Sequence, residues 1–258
     1  MTLLGIKNVV WLGIQAIVAG ATRGVFGGGY TGADGYFDVM DYITIDTTGN
    51  ATDFGDLTVA RSSLAGVSSN TRGVFGGGYT GAYSDVMDYI TIATEGHATE
   101  FGELTVARGH LAGVSSETRG VFGGGWGGSY SDVMDYITIA TTGNATDFGD
   151  LTVAIGDIAG VSSNTRGVFG GGYTGVYSNV MDYITIDTTG NATEFGELTV
   201  ARGFLSGVSS ETRGVFGGGR NGDYSDVMDY ITIDTTGNAT DFGDLTVARR
   251  RLAGVNGS

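Results

Sequence analysis

The sequence predicts an all-β protein, a five-bladed β-propeller of four-stranded antiparallel blades closed by a C-terminal strand. Three observations carry that prediction. The string Thr-Arg-Gly-Val-Phe-Gly-Gly-Gly starts at Thr22, Thr71, Thr118, Thr165 and Thr212, so one unit recurs every 47 residues after a first unit of 49. Units of about 40–50 residues have the length of a propeller blade, whereas the coils of a β-solenoid are much shorter. Each unit holds four short runs rich in β-branched and aromatic residues, and no run keeps helical spacing.

The elements follow in order along the first unit. Arg23 to Gly29 is the first strand, ended by three glycines. The run from Val39 to Ile45 is the second, and Thr47-Thr48-Gly49-Asn50 is a turn whose Gly-Asn pair suits positive φ. A third strand lies within residues 52–60, and Leu64 to Ser69 is the fourth. With strands lettered A to D outward from the axis, this last run is strand A of the next blade. Copies of A begin at Leu64, Leu111, Ile158, Leu205 and Leu252. The last has no B, C or D after it, and the strands from Arg23 have no matching A before them. Leu252 to Asn256 is therefore expected to complete blade one and remove the open edge. The repeats are 22–70, 71–117, 118–164, 165–211 and 212–258, forming one domain over 22–258.

Composition narrows the function. With 258 residues and 41% of them apolar, the chain can build a core despite 49 glycines, and those glycines lack the every-third period of collagen. The absence of Cys excludes disulfides, thiolate metal sites and a cysteine nucleophile. A net charge of −15, with Lys7 the only lysine, repels phosphate backbones and anionic lipid, so nucleic acid is not an expected partner. His97 and His110 are the only histidines.

Residues 1–21 are surplus to the repeats. The stretch from Val9 to Ala21 is apolar, follows Lys7, and ends in Ala19-Gly20-Ala21, which resembles a secretory signal. It is too short to span a membrane. A packing strand and a docking segment for assembly are the competing readings.

The repeat resembles the kelch family, whose blade has a diglycine ending one strand, a Tyr in the next, an aromatic further on and an Arg before the innermost strand. Here these are Gly28-Gly29, Tyr42, Phe54 and Arg61, and the likeness recurs through 22–258. Phe stands where the family has Trp, the Tyr-to-aromatic gap is longer, and no Pro precedes the Arg. Met-Asp-Tyr-Ile-Thr-Ile followed by Gly-Asn-Ala-Thr-Asp-Phe-Gly-Asp resembles kelch-like repeats of bacteriophage structural proteins, such as tail-fibre or decoration proteins. That resemblance implies a virion or extracellular location.

Several motifs look chemical. Asp53-Phe54-Gly55 matches the kinase triplet, but it recurs in every unit with Glu allowed, and no kinase Lys or His-Arg-Asp accompanies it. It reads as an outer strand with one core Phe and solvated carboxylates. Gly24 to Gly29 lacks the Lys and the helix of a phosphate loop; its glycines let tightly spaced strands approach. The repeated Asp41, Asp88, Asp135, Asp182 and Asp229 suggest ion pairs with Arg23 and its equivalents rather than a calcium loop. The Asn-Ala-Thr sequons at Asn50, Asn144, Asn191 and Asn238 occupy turn positions that favour Asn anyway. No cofactor, metal or catalytic residue is expected, and the chain reads as a non-enzymatic module.

The units differ in two zones. The B–C loops begin at Tyr30, Tyr79, Trp126, Tyr173 and Arg220, and the D–A loops carry His110, Phe204 and Arg250. In an antiparallel blade both loop types leave the same face, so the variation gathers on one side of the ring. Loops on a rigid scaffold commonly carry binding. These eight residues are the expected partner-binding face, for a host-surface glycan or protein or for another virion protein. The alternatives are a cellular kelch-type adaptor and a secreted lectin-like propeller.

Overall fold

A computed structural model describes residues 23–31 and 35–254. The N-terminal segment 1–21 and residues 255–256 of the expected closing strand lie outside the described residues. Blade one holds β1 (Arg23–Thr31), β2 (Gly35–Thr44) and β3 (Thr52–Asp56). Blade two holds β4 (Ala65–Ser68), β5 (Arg72–Gly76), β6 (Val86–Thr91) and β7 (Thr99–Glu103). Blade three holds β8 (Ala112–Ser115), β9 (Arg119–Gly123), β10 (Val133–Thr138) and β11 (Thr146–Asp150). Blade four holds β12 (Ala159–Ser162), β13 (Arg166–Gly170), β14 (Val180–Thr185) and β15 (Thr193–Glu197). Blade five holds β16 (Ser206–Ser209), β17 (Arg213–Gly217), β18 (Val227–Thr232) and β19 (Thr240–Asp244). Every neighbouring pair is antiparallel, in sequence order, giving four four-stranded blades and one of three strands. The five-bladed propeller and its strand order are as the repeat predicts.

One departure lies in blade one. Its B and C strands continue as a ribbon to Thr31↔Gly35, where the other units turn earlier through isolated bridges such as Tyr79↔Tyr83. The two extra residues of this unit lengthen the hairpin rather than a loose loop.

The core lies between blades. On each C–D ladder the register slips between Met and Asp, as at Met87↔Gly102 then Asp88↔Glu100. This bulge leaves Phe101 unpaired and turned into the seam with blade three, where it is buried. Phe122 crosses the same seam from the other side: a Cβ placed on Gly76 would lie 2.9 Å from its ring. Nearer the axis the innermost strands almost touch, and a Cβ on Gly113 would sit 2.4 Å from the Gly66 carbonyl oxygen. Glycine is required there because nothing larger fits. Each fully buried Phe contributes about 1.5–3 kcal/mol of apolar burial, and the repeat makes that contribution seam after seam.

Buried ion pairs reinforce the seams, though not with the expected partners. Asp88, Asp135 and Asp229 face Arg61, Arg108 and Arg202 at 2.8, 2.7 and 2.6 Å, all fully buried. Arg23 and its equivalents stack instead on Tyr42, Tyr89, Tyr136, Tyr183 and Tyr230 at 4.3–4.6 Å. Strand alternation explains the correction, since Asp88 and Tyr89 are successive residues whose side chains leave opposite faces. Four of these arginines also donate to carbonyls of the next blade, Arg72 to Ile139 at 3.0 Å for example. Ile155 stands where the other units have the ion-pairing Arg; there the hydroxyl and backbone N–H of Thr152 donate to Asp182.

The expected clasp is present in part. A Cβ on Gly254 would lie 2.7 Å from the Gly207 carbonyl oxygen, as Gly113 does beside Gly66, so residues 252–254 take the innermost place after blade five. Among the described residues, no backbone hydrogen bond joins them to β1. Among the described residues the seam between blades five and one stays open. Phe26 is 40% exposed and Phe242 48%, whereas Phe122, Phe169 and Phe216, and Phe54 to Phe195 in the other outer strands, are buried.

Candidate functional site

Each D–A loop ends with one residue in the left-handed region just before strand A. These are Ser63, His110, Asp157, Phe204 and Arg251, with φ of 54–60°. That conformation costs an L-residue about 1–2 kcal/mol. A backbone ladder holds it: His110 N–H donates to Ser63 O, Asp157 to His110, Phe204 to Asp157 and Arg251 to Phe204, at 2.8–2.9 Å. The five residues thus form a girdle around the axis, joined by one main-chain ladder, to which His110–Asp157 and Phe204–Arg251 add side-chain contacts. Their side chains stay outside the ladder and are free to differ.

The girdle surrounds an axial mouth of about 620 Å³, whose lining also includes Tyr30 and Leu64. His110 Nδ1 lies 2.8 Å from Asp157 Oδ1, and both side chains are mostly buried. Arg250 and Arg251 both stand over the Phe204 ring, at 5.1 and 5.2 Å. One side of the mouth is therefore acidic and imidazole-bearing, and the other cationic and aromatic. Ser63, His110 and Asp157 occupy consecutive blades, but the Ser63 hydroxyl makes no hydrogen bond to the imidazole, so they are not assembled as a nucleophilic triad.

The B–C loops flank this girdle. Isolated bridges Ser62↔Tyr79, Gly109↔Trp126, Gly156↔Tyr173 and Gly203↔Arg220 tie each loop start to the D–A loop beside it. Four of the five predicted loop-start residues, Tyr30, Tyr79, Trp126 and Tyr173, do not touch one another but are linked by a second tyrosine per unit. Tyr36 packs on Tyr30 and Tyr79, Tyr83 on Tyr79, Tyr130 on Trp126 and Tyr173, and Tyr177 on Tyr173, with centroids 4.5–6.0 Å apart. Partial burial raises the Tyr83 and Tyr130 phenols above their ordinary value, with the neighbouring Tyr79 and Tyr173 adding to it. Arg220 folds back, donating from Nε to Gly222 O at 2.9 Å. Arg250 reaches Tyr224 as well as Phe204.

The structure thus places the eight predicted residues on one face: Tyr30, Tyr79, Trp126 and Tyr173 in an aromatic rim, His110 and Phe204 in the axial girdle, and Arg220 and Arg250 beside them. Sequence reasoning missed Ser63, Asp157 and Arg251 as girdle members. Arg250, chosen instead of Arg251, lies one residue before the left-handed position. The divergent column immediately before Leu64 and its equivalents was a usable signal. The second tyrosines were missed because they recur in every unit and read as scaffold.

The opposite face is built differently. Its axial cavity, about 830 Å³, is lined by serines, Asn70, Asn164, Glu117 and Glu211 of the A–B turns. There the side chains bridge the blades: Ser68 N–H donates to Ser115 Oγ, and Asn70 and Asn164 N–H donate to Glu117 and Glu211. In the C–D turns, Asn144, Asn191 and Asn238 accept from Glu103, Asp150 and Glu197 of the preceding blade. His97 takes the same place and accepts from Asp56 N–H.

The fold and this face define the class, a repeat-built β-propeller that presents one variable face. No protein-family model matches the chain, and no curated protein matches it. The kelch-type and phage resemblances therefore rest on the residues of the repeat alone. Among the described residues, no helix is long and apolar enough to cross a membrane.

Proposed function

We propose that this propeller is a non-enzymatic binding module, a component of a bacteriophage virion that holds a host-surface glycan through the variable face. The girdle carries this reading. Five unlike side chains occupy one strained backbone position, where Gly would remove the strain. Glycine is already used one residue earlier, at Gly109, Gly156 and Gly203, and yet is absent from the strained position itself. Retaining Ser, His, Asp, Phe and Arg there is understandable if the side chains serve a ligand. A glycan suits the set, because its apolar ring faces stack on aromatic side chains while its hydroxyls pair with carboxylate, imidazole and guanidinium groups.

The phage assignment draws its support from the wording of the repeat, and with it the extracellular or virion location. The acidic surface fits a partner that is not nucleic acid. The test is attachment of the purified protein to host cells and to an array of labelled cell-surface glycans. Changing His110 and Phe204 together to Ala is expected to reduce attachment at least tenfold with the fold intact. Attachment unchanged in that variant contradicts the reading.

A further inference from the structure

We propose that the open seam is an interface between copies of this chain, in which blade five of one copy, with residues 252–254, receives the three-stranded blade one of the next. The inference does not depend on the binding reading above. It rests on four seams inside the chain that show what each half of this interface needs.

In a closed seam the Arg of one D–A loop meets an Asp of the following blade. Arg249 occupies that Arg position and is exposed, with a carbonyl of its own loop as its side-chain partner. Asp41 occupies the Asp position and pairs with no basic group among the described residues. In a closed seam a Phe covers a glycine of the preceding blade. Phe26 is the uncovered Phe, and Gly217 is the glycine with no ring above it. In a closed seam the outer-strand glycine receives the backbone of the next C–D turn, as Gly55 receives Gly96; Gly243 alone among these glycines faces open space. Arg213 lacks the cross-blade carbonyl reached by Arg23, Arg72, Arg119 and Arg166. Each unmatched group at one end has its counterpart at the other, in charge as well as in shape.

The strand count agrees. Residues 252–254 stand at the innermost place after blade five, and among the described residues blade one holds B, C and D without an A. In the structure the two ends do not meet as the blades of the closed seams do: Phe26 and Phe242 are exposed where their equivalents are buried, and no ring lies over Gly217. Such head-to-tail contact is heterologous and builds rings or filaments rather than a two-fold dimer.

The absence of native Cys makes a direct test available. In closed seams a Cβ on Gly120 would lie 3.0 Å from the Val67 Cβ, so the equivalent pair, Gly24 and Val208, is close enough for a disulfide with slight adjustment. Two single variants, Gly24→Cys and Val208→Cys, are mixed under mild oxidation and run on a denaturing gel without reductant. A mixed dimer in excess over either variant alone is expected. No mixed dimer overturns the proposal. So does the double variant in one chain forming only an internal disulfide, because the ring then closes on itself. Sedimentation of the unmodified protein should show association that weakens roughly tenfold or more with Arg249→Asp. An unmodified protein that stays monomeric at all concentrations also overturns it.

Discussion

The two faces of the ring solve the same problem, joining one blade to the next, with different atoms. On the A–B and C–D side, side chains share the joining with main-chain bonds such as Gly96 N–H to Phe54 O: Ser115, Glu117, Asn144 and Asn191 each accept a backbone N–H from the preceding blade. On the other side a main-chain ladder runs through all five girdle residues, and side-chain contacts join only His110 to Asp157 and Phe204 to Arg251. Side chains that hold the scaffold cannot change without loosening it, so those turns scarcely vary among the five units. On the girdle the main-chain ladder holds at every blade whatever the side chain, and there the units diverge. Variation gathers on the face where the scaffold depends least on particular side chains.

The largest expected effect lies beneath both faces. Replacing Arg202 by Ala leaves Asp229 buried without its cation, and a loss of about 3–5 kcal/mol in chemical unfolding is expected. A loss under about 1 kcal/mol would mean that the seams do not depend on the ion pairs. Next, Asn144→Ala removes the acceptor for Glu103 N–H on the side-chain-joined face. Unfolding should register about 0.5–1.5 kcal/mol, with attachment unaffected. Smaller still, and of opposite sign, Phe204→Gly relieves a left-handed backbone and is expected to be neutral or to stabilise by about 1 kcal/mol while weakening attachment. If Phe204→Gly destabilises as much as Asn144→Ala does, the girdle side chains are scaffold and the contrast between the faces fails.

Most of the propeller was legible in the sequence because it is written five times. The first B strand was expected at Arg23 to Gly29 and runs Arg23–Thr31; the first A strand was expected at Leu64 to Ser69 and runs Ala65–Ser68. What repetition could not show was what happens at its ends. The strand from Leu252 looks like every other A strand, and only the structure reveals that Gly254 lies beside Gly207 while, among the described residues, no backbone bond joins 252–254 to β1. The ion pairs failed for another reason. Two arginine positions recur along the units, the second filled by Ile155 in one of them, and choosing between Arg23 and Arg61 requires knowing which face of the strand Asp88 leaves. The site was legible as a face but not as a girdle. Positive φ is readable where Gly or Asn occupies the position, and Ser63, His110, Asp157, Phe204 and Arg251 give no such sign.

The most direct measurement compares two double variants at matched stability. Trp126→Ala with Tyr173→Ala strips the rim on the variable face, and Asn144→Ala with Asn191→Ala strips the turns on the other. Both are assayed for attachment to host cells and labelled glycans. The rim variant is expected to lose attachment by roughly tenfold or more, as aromatic anchors of a binding patch do, while the turn variant keeps it. Attachment that survives loss of the rim and vanishes with the two asparagines would place the ligand on the opposite face.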